Sequence, residues 1–423
     1  MRGALRGRDR GALLLSLRRV LDAQRALPQN VRALGWVSFA NDVASELAYP
    51  IIPLFLRITL GASYTIIGII EGVAEGVAVG FRGLAGVLSD RAGERRRPCI
   101  AAGYAMTTVS RPLLALAHGW GLVLGARLAD RAGKAARTAP RDALIRDSSQ
   151  PHQLGSSFGY HRALDSAGAV IGPLVAVGLL SLLHVSLRTA LWVVVLPSAV
   201  ALALVSAVRD VPPAAREEIA PRGRVRDLPG PFWGILAVWI LFSIGNSADV
   251  FLLLRARQIG LGTSFTVVAY ALYQLVYSGL SWPLGALSDR IPRAWILAAG
   301  LAVFGLVYLG FARPPGAWAV WPLLSVYGAY VAATDGVARA VVGDHAPRGL
   351  VGTAFGVFSA ATGAALLVAS VTAGLLWSKV SPSAPFYVGA AAAALALILL
   401  AVVSTQAGRP VVSDGRAGEA HAS

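Results

Sequence analysis

Apolar residues along this chain come in long runs, without the alternating or four-residue rhythm of a water-soluble fold. A helix that crosses a bilayer needs roughly 20 mostly apolar residues. Twelve stretches of that kind can be counted, near 33–56, 63–88, 98–117, 120–141, 158–182, 187–207, 231–254, 264–287, 293–312, 317–341, 353–376 and 384–404. The fourth and fifth carry several charges. One long connector, Arg209 to Pro229, separates the sixth stretch from the seventh, and its prolines and charges read as a solvated linker. The pattern predicts an all-α membrane protein of 12 transmembrane helices in two pseudo-symmetric six-helix bundles. The bundles are expected over 33–208 and 230–404, with a basic N-terminal segment over 1–32, a linker over 209–229 and a tail over 405–423.

The two groups of six share wording. Gly86-Val-Leu-Ser-Asp90-Arg91-Ala-Gly93 returns as Gly285-Ala-Leu-Ser-Asp289-Arg290-Ile-Pro292, each copy closing an apolar run and opening a basic loop. Upstream, Leu60-Gly-Ala-Ser63-Tyr64-Thr65 is echoed by Leu261-Gly-Thr-Ser264-Phe265-Thr266. Two related apolar halves are the signature of a transporter that rocks one half against the other.

Composition agrees. The 423 residues are 56% hydrophobic and 14% charged, against about 25% charged in a soluble domain, and mean hydropathy is +0.62. The net charge of +16 lies between the apolar runs, so a membrane explains it better than a nucleic acid does. With the N-terminus taken as cytoplasmic, Arg91, Arg95–Arg97, Arg137, Arg141, Arg146, the linker arginines, Arg290 and Arg293 all fall inside. Arg57, Arg111, Arg188, Arg255, Arg257 and Arg313 fall in sparse outer connections. The bias predicts a multi-pass protein of the inner (plasma) membrane with both termini cytoplasmic. Residues 12–27 could lie as a short helix on the inner surface, no cleavable signal peptide is visible, and the tail after Ala407 is expected to be disordered. The single Cys99 leaves no intrachain disulfide.

Twelve spans, two halves, a central basic linker and the duplicated Gly-x-Leu-Ser-Asp-Arg loop resemble the major facilitator superfamily. That resemblance implies a gate role for Gly86, Asp90, Arg91, Gly93, Gly285, Asp289 and Arg290. Their aspartates would latch the inner side shut, more weakly in the second copy, where Pro292 replaces the final glycine. Gly168-Ala-Val-Ile-Gly172-Pro173 in the fifth span resembles the superfamily's antiporter motif, with Ala176 and Val177 where two glycines are usual. Arg127 stands where exporters of the superfamily carry a fourth-span arginine implicated in proton transfer. Asp130-Arg131 follows it in place of the usual Gln-Gly, as in a prokaryotic subgroup of unstated substrate.

Charges at membrane depth are costly and mark function by default. The first span holds Asp42 and Glu46, the second Glu71 and Glu75, each pair four apart on one face. The fourth holds Arg127, Asp130, Arg131 and Lys134, and the fifth His161, Arg162 and Asp165. The four acids of the first two spans are expected to face this basic set. Four carboxylates at that depth are hard to keep ionised together, so one of them is expected to carry a proton. The proton-coupling candidates are Asp42, Glu46, Glu71, Glu75, Arg127, Asp130, Arg162 and Asp165. The competing reading is a set of structural salt bridges, strongest for Arg137, Arg141 and Asp142, which are expected at the inner surface.

The second half lacks the fifth-span charges: Ser359 and Thr362 stand opposite Arg162 and Asp165. It keeps Asp249, and Asp335 with Arg339, and adds tyrosines suited to an organic substrate. Asn41, Tyr49, Asp249, Tyr273, Gln274 and Asp335 are the substrate-cavity candidates. No phosphate loop, metal-ligand cluster or nucleophile elbow is present. The expectation is a secondary transporter, not an enzyme, without cofactor, metal or nucleic-acid partner. It would act as a monomer in lipid on a small-molecule substrate and protons, and proton-coupled efflux is the leading mode. The alternatives are a proton-coupled importer of an anionic solute, or a non-transporting scaffold or receptor.

Overall fold

In the computed structural model the described residues are 27–92, 96–150, 153–211, 225–288, 291–347 and 350–407. Lipid offers the backbone no hydrogen-bond partners, so apolar stretches satisfy their amides internally as helices. Twelve crossings result among the described residues. In the first half they are α1 (Gln29–Ala48, continued by Ile51–Leu54 and a π-turn over Phe55–Thr59), α2 (Tyr64–Ala92), α3 (Arg96–Leu116), α4 (Trp120–Ser148), α5 (Leu154–Val177, ending in a π-turn over Gly178–Leu182) and α6 (Leu187–Val193 with Val195–Leu204). The second half contributes α7 (Gly230–Gly245 with Val250–Gln258), α8 (Thr263–Ser288), α9 (Arg293–Ala312), α10 (Val320–Asp344), α11 (Val351–Lys379) and α12 (Ala384–Ala407).

Seven of these are long and apolar enough to cross a membrane by composition alone, among the described residues. The polar and charged side chains that build the interior described below come from α1, α2, α3, α4, α5, α7, α8 and α10.

Within the first half α1 packs on α5, and α4 on α2 and α3; within the second, α8 packs on α10, and α12 on α7 and α9. The halves meet along α2–α11 and α5–α8. Glycine makes the first seam close. A methyl group on Gly374 would sit 2.6 Å from the Tyr64 carbonyl, and one on Gly72 would sit 2.9 Å from the Leu367 carbonyl. Small residues let helix backbones approach in this way.

The far end, away from Gln29, is shut. Tyr64 stacks on Trp377 at 4.6 Å. The Thr65 hydroxyl donates to the Gly374 carbonyl at 3.2 Å and to Ser378 at 2.9 Å, and Ser264 donates to the Leu180 carbonyl at 3.4 Å. Both echoed segments, Ser63-Tyr64-Thr65 and Ser264-Phe265-Thr266, thus reach across to the opposite half. At the other end the halves part: among the described residues no hydrogen bond joins them there, and Arg162 and Arg339 are each 65% exposed.

Three features depart from the sequence reading. Arg111, expected in an outer connection, lies inside α3 and is 2% exposed. Arg137, expected at the inner surface, is buried; it donates to Thr107 at 2.6 Å with its guanidinium 4.4 Å above the Tyr104 ring. The seventh span is discontinuous, with Asn246–Asp249 unwound between its two helical pieces. Of the duplicated loop, Gly86, Asp90 and Arg91 ride the last turns of α2 and Gly285 rides α8, but their side chains lie outside the described residues, as do Gly93, Asp289 and Arg290.

Candidate functional site

The acids of the interior sort into two sets. In the first, every carboxylate meets an arginine. Arg127 of α4 is paired with Glu71 of α2, the two being 3% and 2% exposed. One turn along, Arg131 meets Glu75 at 2.7 Å. Asp130, on the opposite side of α4, meets Arg111 of α3 at 3.1 Å, and Arg111 also donates to Ser45 of α1 at 2.8 Å. Residues four apart share a helix face, so α4 presents two arginines to α2 and one aspartate to α3, tying those two neighbours together. Of the first two spans' acids, Glu71 and Glu75 face arginines of α4, Asp42 faces Asp165 of α5 and Lys134 of α4, and Glu46 faces the second half.

The second set has no such partner: none of the ion pairs among the described residues includes Asp42, Glu46 or Asp249. Asp42 turns from α1 towards α5, where it faces Asp165. Asn41 donates to Asp42 at 3.1 Å, Ser38 to Asp165 at 2.6 Å, and the exposed Arg162 reaches Asp165 at 3.4 Å. Glu46, one turn further along α1, points instead into the second half. Its Oε2 accepts from Tyr270 at 2.7 Å and from Gln274 at 2.8 Å, both on α8, and Tyr49 stacks on Tyr270 at 5.5 Å. Gln274, expected as a substrate contact, is therefore a bond between halves. The Asp42 and Glu46 side chains leave a common face of α1 and end against different helices.

Asp249 lies at the end of the unwound turn of α7. Tyr327 donates to its Oδ1 at 2.7 Å and Tyr273 to its Oδ2 at 3.2 Å. Ser370 of α11 accepts from the Ala248 amide at 3.1 Å, holding the break in place. A cavity of about 440 Å³ opens beside it, walled by α7, α8, α10 and α11 and reaching Glu75 of the first half. Asp335 borders it too, paired with Arg339 at 3.1 Å and accepting from Tyr277 at 3.3 Å.

The antiporter-like glycines explain how α1 is held. A methyl group on Gly168 would sit 2.6 Å from the Phe39 carbonyl and 3.1 Å from Asp42 Cβ; one on Gly172 would sit 2.7 Å from the Val43 carbonyl and 2.9 Å from Glu46 Cβ. The motif presses α5 onto α1 at the two turns that carry Asp42 and Glu46, with Pro173 buried beside them. Gly172→Ala is expected to cost about 1–3 kcal/mol through overpacking. The check is a lower melting temperature in detergent, with Gly178→Ala, where the added methyl meets nothing within 4 Å, as the unaffected comparison.

Sequence reasoning missed the inward roles of Arg111, Ser45 and Ser38, and took Tyr270 for substrate surface and not for a partner of Glu46. A hint was available for Arg111 alone: an arginine one turn from the end of an apolar run can be inside the protein when a helical neighbour offers an acid.

The sequence matches the family described as Major Facilitator Superfamily over residues 34–334 and 256–422. It is 32% identical over 383 residues to an uncharacterised MFS-type transporter of Methanocaldococcus jannaschii, covering 89% of this chain and 95% of that one. Over 135 residues, 32% of this chain and 33% of the other, it is 31% identical to the multidrug resistance protein MdtH of Yersinia enterocolitica. The crystal structure of the nucleoside transporter NupG superposes with a TM-score of 0.67 over 90% of this chain and 99% of that one, at 14% identity, a likeness of fold. Two six-helix halves around a polar interior, and a match spanning nearly the whole sequence, place the chain in the major facilitator superfamily as a multi-pass membrane transporter and not an enzyme.

Proposed function

We propose that the protein exports a small organic molecule in exchange for protons, its halves (33–208 and 230–404) rocking about the central cavity. The observation that carries this reading is Glu46. It is a carboxylate at mid-depth with no cation beside it, bonded across the seam between the halves to Tyr270 and Gln274. A proton arriving there removes the charge those donors hold, so proton binding and the fit of the two halves are linked. The Asp42–Asp165 pair, one turn away, is a second holder on the same route. Arginine bias makes the end that carries Gln29 cytoplasmic, and the cavity opens that way. The part-length similarity to a multidrug resistance protein supports efflux. Import of an anion has less support, because Arg127, Arg131 and Arg111 are consumed in ion pairs and Arg162 faces Asp165.

Glu46→Gln keeps an acceptor for Tyr270 and cannot exchange a proton. In everted vesicles with an acid interior, addition of a transported drug is expected to release protons from wild-type vesicles and none above background from the variant. Unchanged proton release in Glu46→Gln would remove Glu46 from the coupling route.

A further inference from the structure

Among the described residues, the cavity beside the α7 break joins an acid left without a cation to open space with an aromatic wall. Its other two acids are matched, Glu75 by Arg131 at 2.7 Å and Asp335 by Arg339 at 3.1 Å. Asp249 has only the Tyr327 and Tyr273 hydroxyls. Trp239, Phe242 and Tyr330 complete the wall, with Tyr327 standing 5.5 Å from Tyr273 and 5.2 Å from Tyr330, centroid to centroid. Asn246 lines the same space, and its buried Oδ1 accepts no hydrogen bond from the described residues. A buried acceptor without a donor is costly, and so is a bare carboxylate at membrane depth. An anionic ligand worsens the second cost and a neutral one leaves it unchanged. A cation with an N–H group removes both, and the rings add the attraction of a π-face for positive charge.

We propose that this cavity binds a lipophilic organic cation, with Asp249 as its counter-charge, Asn246 Oδ1 as acceptor for its N–H, and the tyrosines of α8 and α10 as its walls. The inference deepens the export reading, on which it rests, by naming the class of substrate. Two hydroxyl donors on one carboxylate stabilise its charged form, which a counter-ion requires. Asn246 and Asp249, the two ends of the unwound turn, line the same cavity.

The test is equilibrium binding to purified protein in detergent, with no pH gradient, so that failure of proton coupling and failure of cation recognition are read separately. Ethidium, which carries amino groups, is followed by fluorescence anisotropy, with uncharged chloramphenicol as its competitor. Ethidium is expected to bind the wild type and to resist displacement by chloramphenicol. Asp249→Asn is expected to weaken ethidium binding on the order of tenfold to a hundredfold, with Asp249→Glu recovering part of the loss and Asn246→Ala giving a smaller one. Tyr327→Phe, which keeps the ring and drops the donor to Asp249, guards against a misfolded Asp249→Asn and is expected to weaken ethidium several-fold. Equal affinity in the wild type, Asp249→Asn and Tyr327→Phe, or no ethidium binding by the wild type, would overturn the proposal.

Discussion

With Cys99 replaced by serine, the double variant Thr65→Cys, Ser378→Cys is expected to stop transporting once oxidised and to recover on reduction. The two hydroxyl oxygens are 2.9 Å apart, so two sulfurs in their place need only a small rotamer adjustment to reach the roughly 2.05 Å of a disulfide. The bond would join α2 to α11, the seam where Gly374 and Gly72 already bring the backbones close and where Tyr64 stacks on Trp377. Alternating access requires this far end to open once per cycle, and a covalent bond there forbids it whatever the substrate. Flux into proteoliposomes should fall to the level of protein-free vesicles, with the extent of cross-linking followed as a mobility shift. Full flux through a completely cross-linked sample would exclude opening along α2–α11.

The echo that shares this seam was visible in the sequence, and its role was not. Ser63-Tyr64-Thr65 and Ser264-Phe265-Thr266 betray duplication because the letters repeat. What they touch is set by the opposite half, which no local pattern specifies. The twelve crossings were legible for the opposite reason: lipid forces each apolar run into a helix by itself, without help from tertiary contacts. The break in α7 was not legible, since the run across Asn246–Asp249 stays apolar enough to count as one span. The acids show the same division. Spacing put Asp42 with Glu46 and Glu71 with Glu75, and the second pair does meet one helix together. The first pair diverges: Gly168 and Gly172 bring α5 against one flank of α1, while Tyr270 and Gln274 of α8 reach Glu46 from another side. Arg111 was misplaced because its distance along an apolar run says how deep it lies and nothing of what faces it.

Of the paired acids, Glu71 is the one that cannot survive the loss of its partner. Arg127→Leu is expected to leave little folded protein, because the Glu71 carboxylate is 2% exposed and has no route to water. Removing one member of a buried pair costs about 3–5 kcal/mol, a large share of the roughly 5–15 kcal/mol that holds a domain together. Arg131→Leu is the internal comparison: the Glu75 side chain is 24% exposed and borders the cavity, so water can replace the arginine and the loss should be milder. Adding Glu71→Leu to Arg127→Leu removes the stranded charge as well as its cause. Replacement of a buried ion pair by apolar groups is often neutral or stabilising by about 1–4 kcal/mol, so the double variant should recover the monodisperse peak and the melting temperature that the single variant loses. A single variant as stable as the wild type would show that Arg127 does not neutralise Glu71. The double variant also separates the two readings of Arg127. If it folds and still moves protons with substrate, the arginine is a structural tie between α4 and α2; if it folds and does not, the arginine acts on the proton route that begins at Glu46.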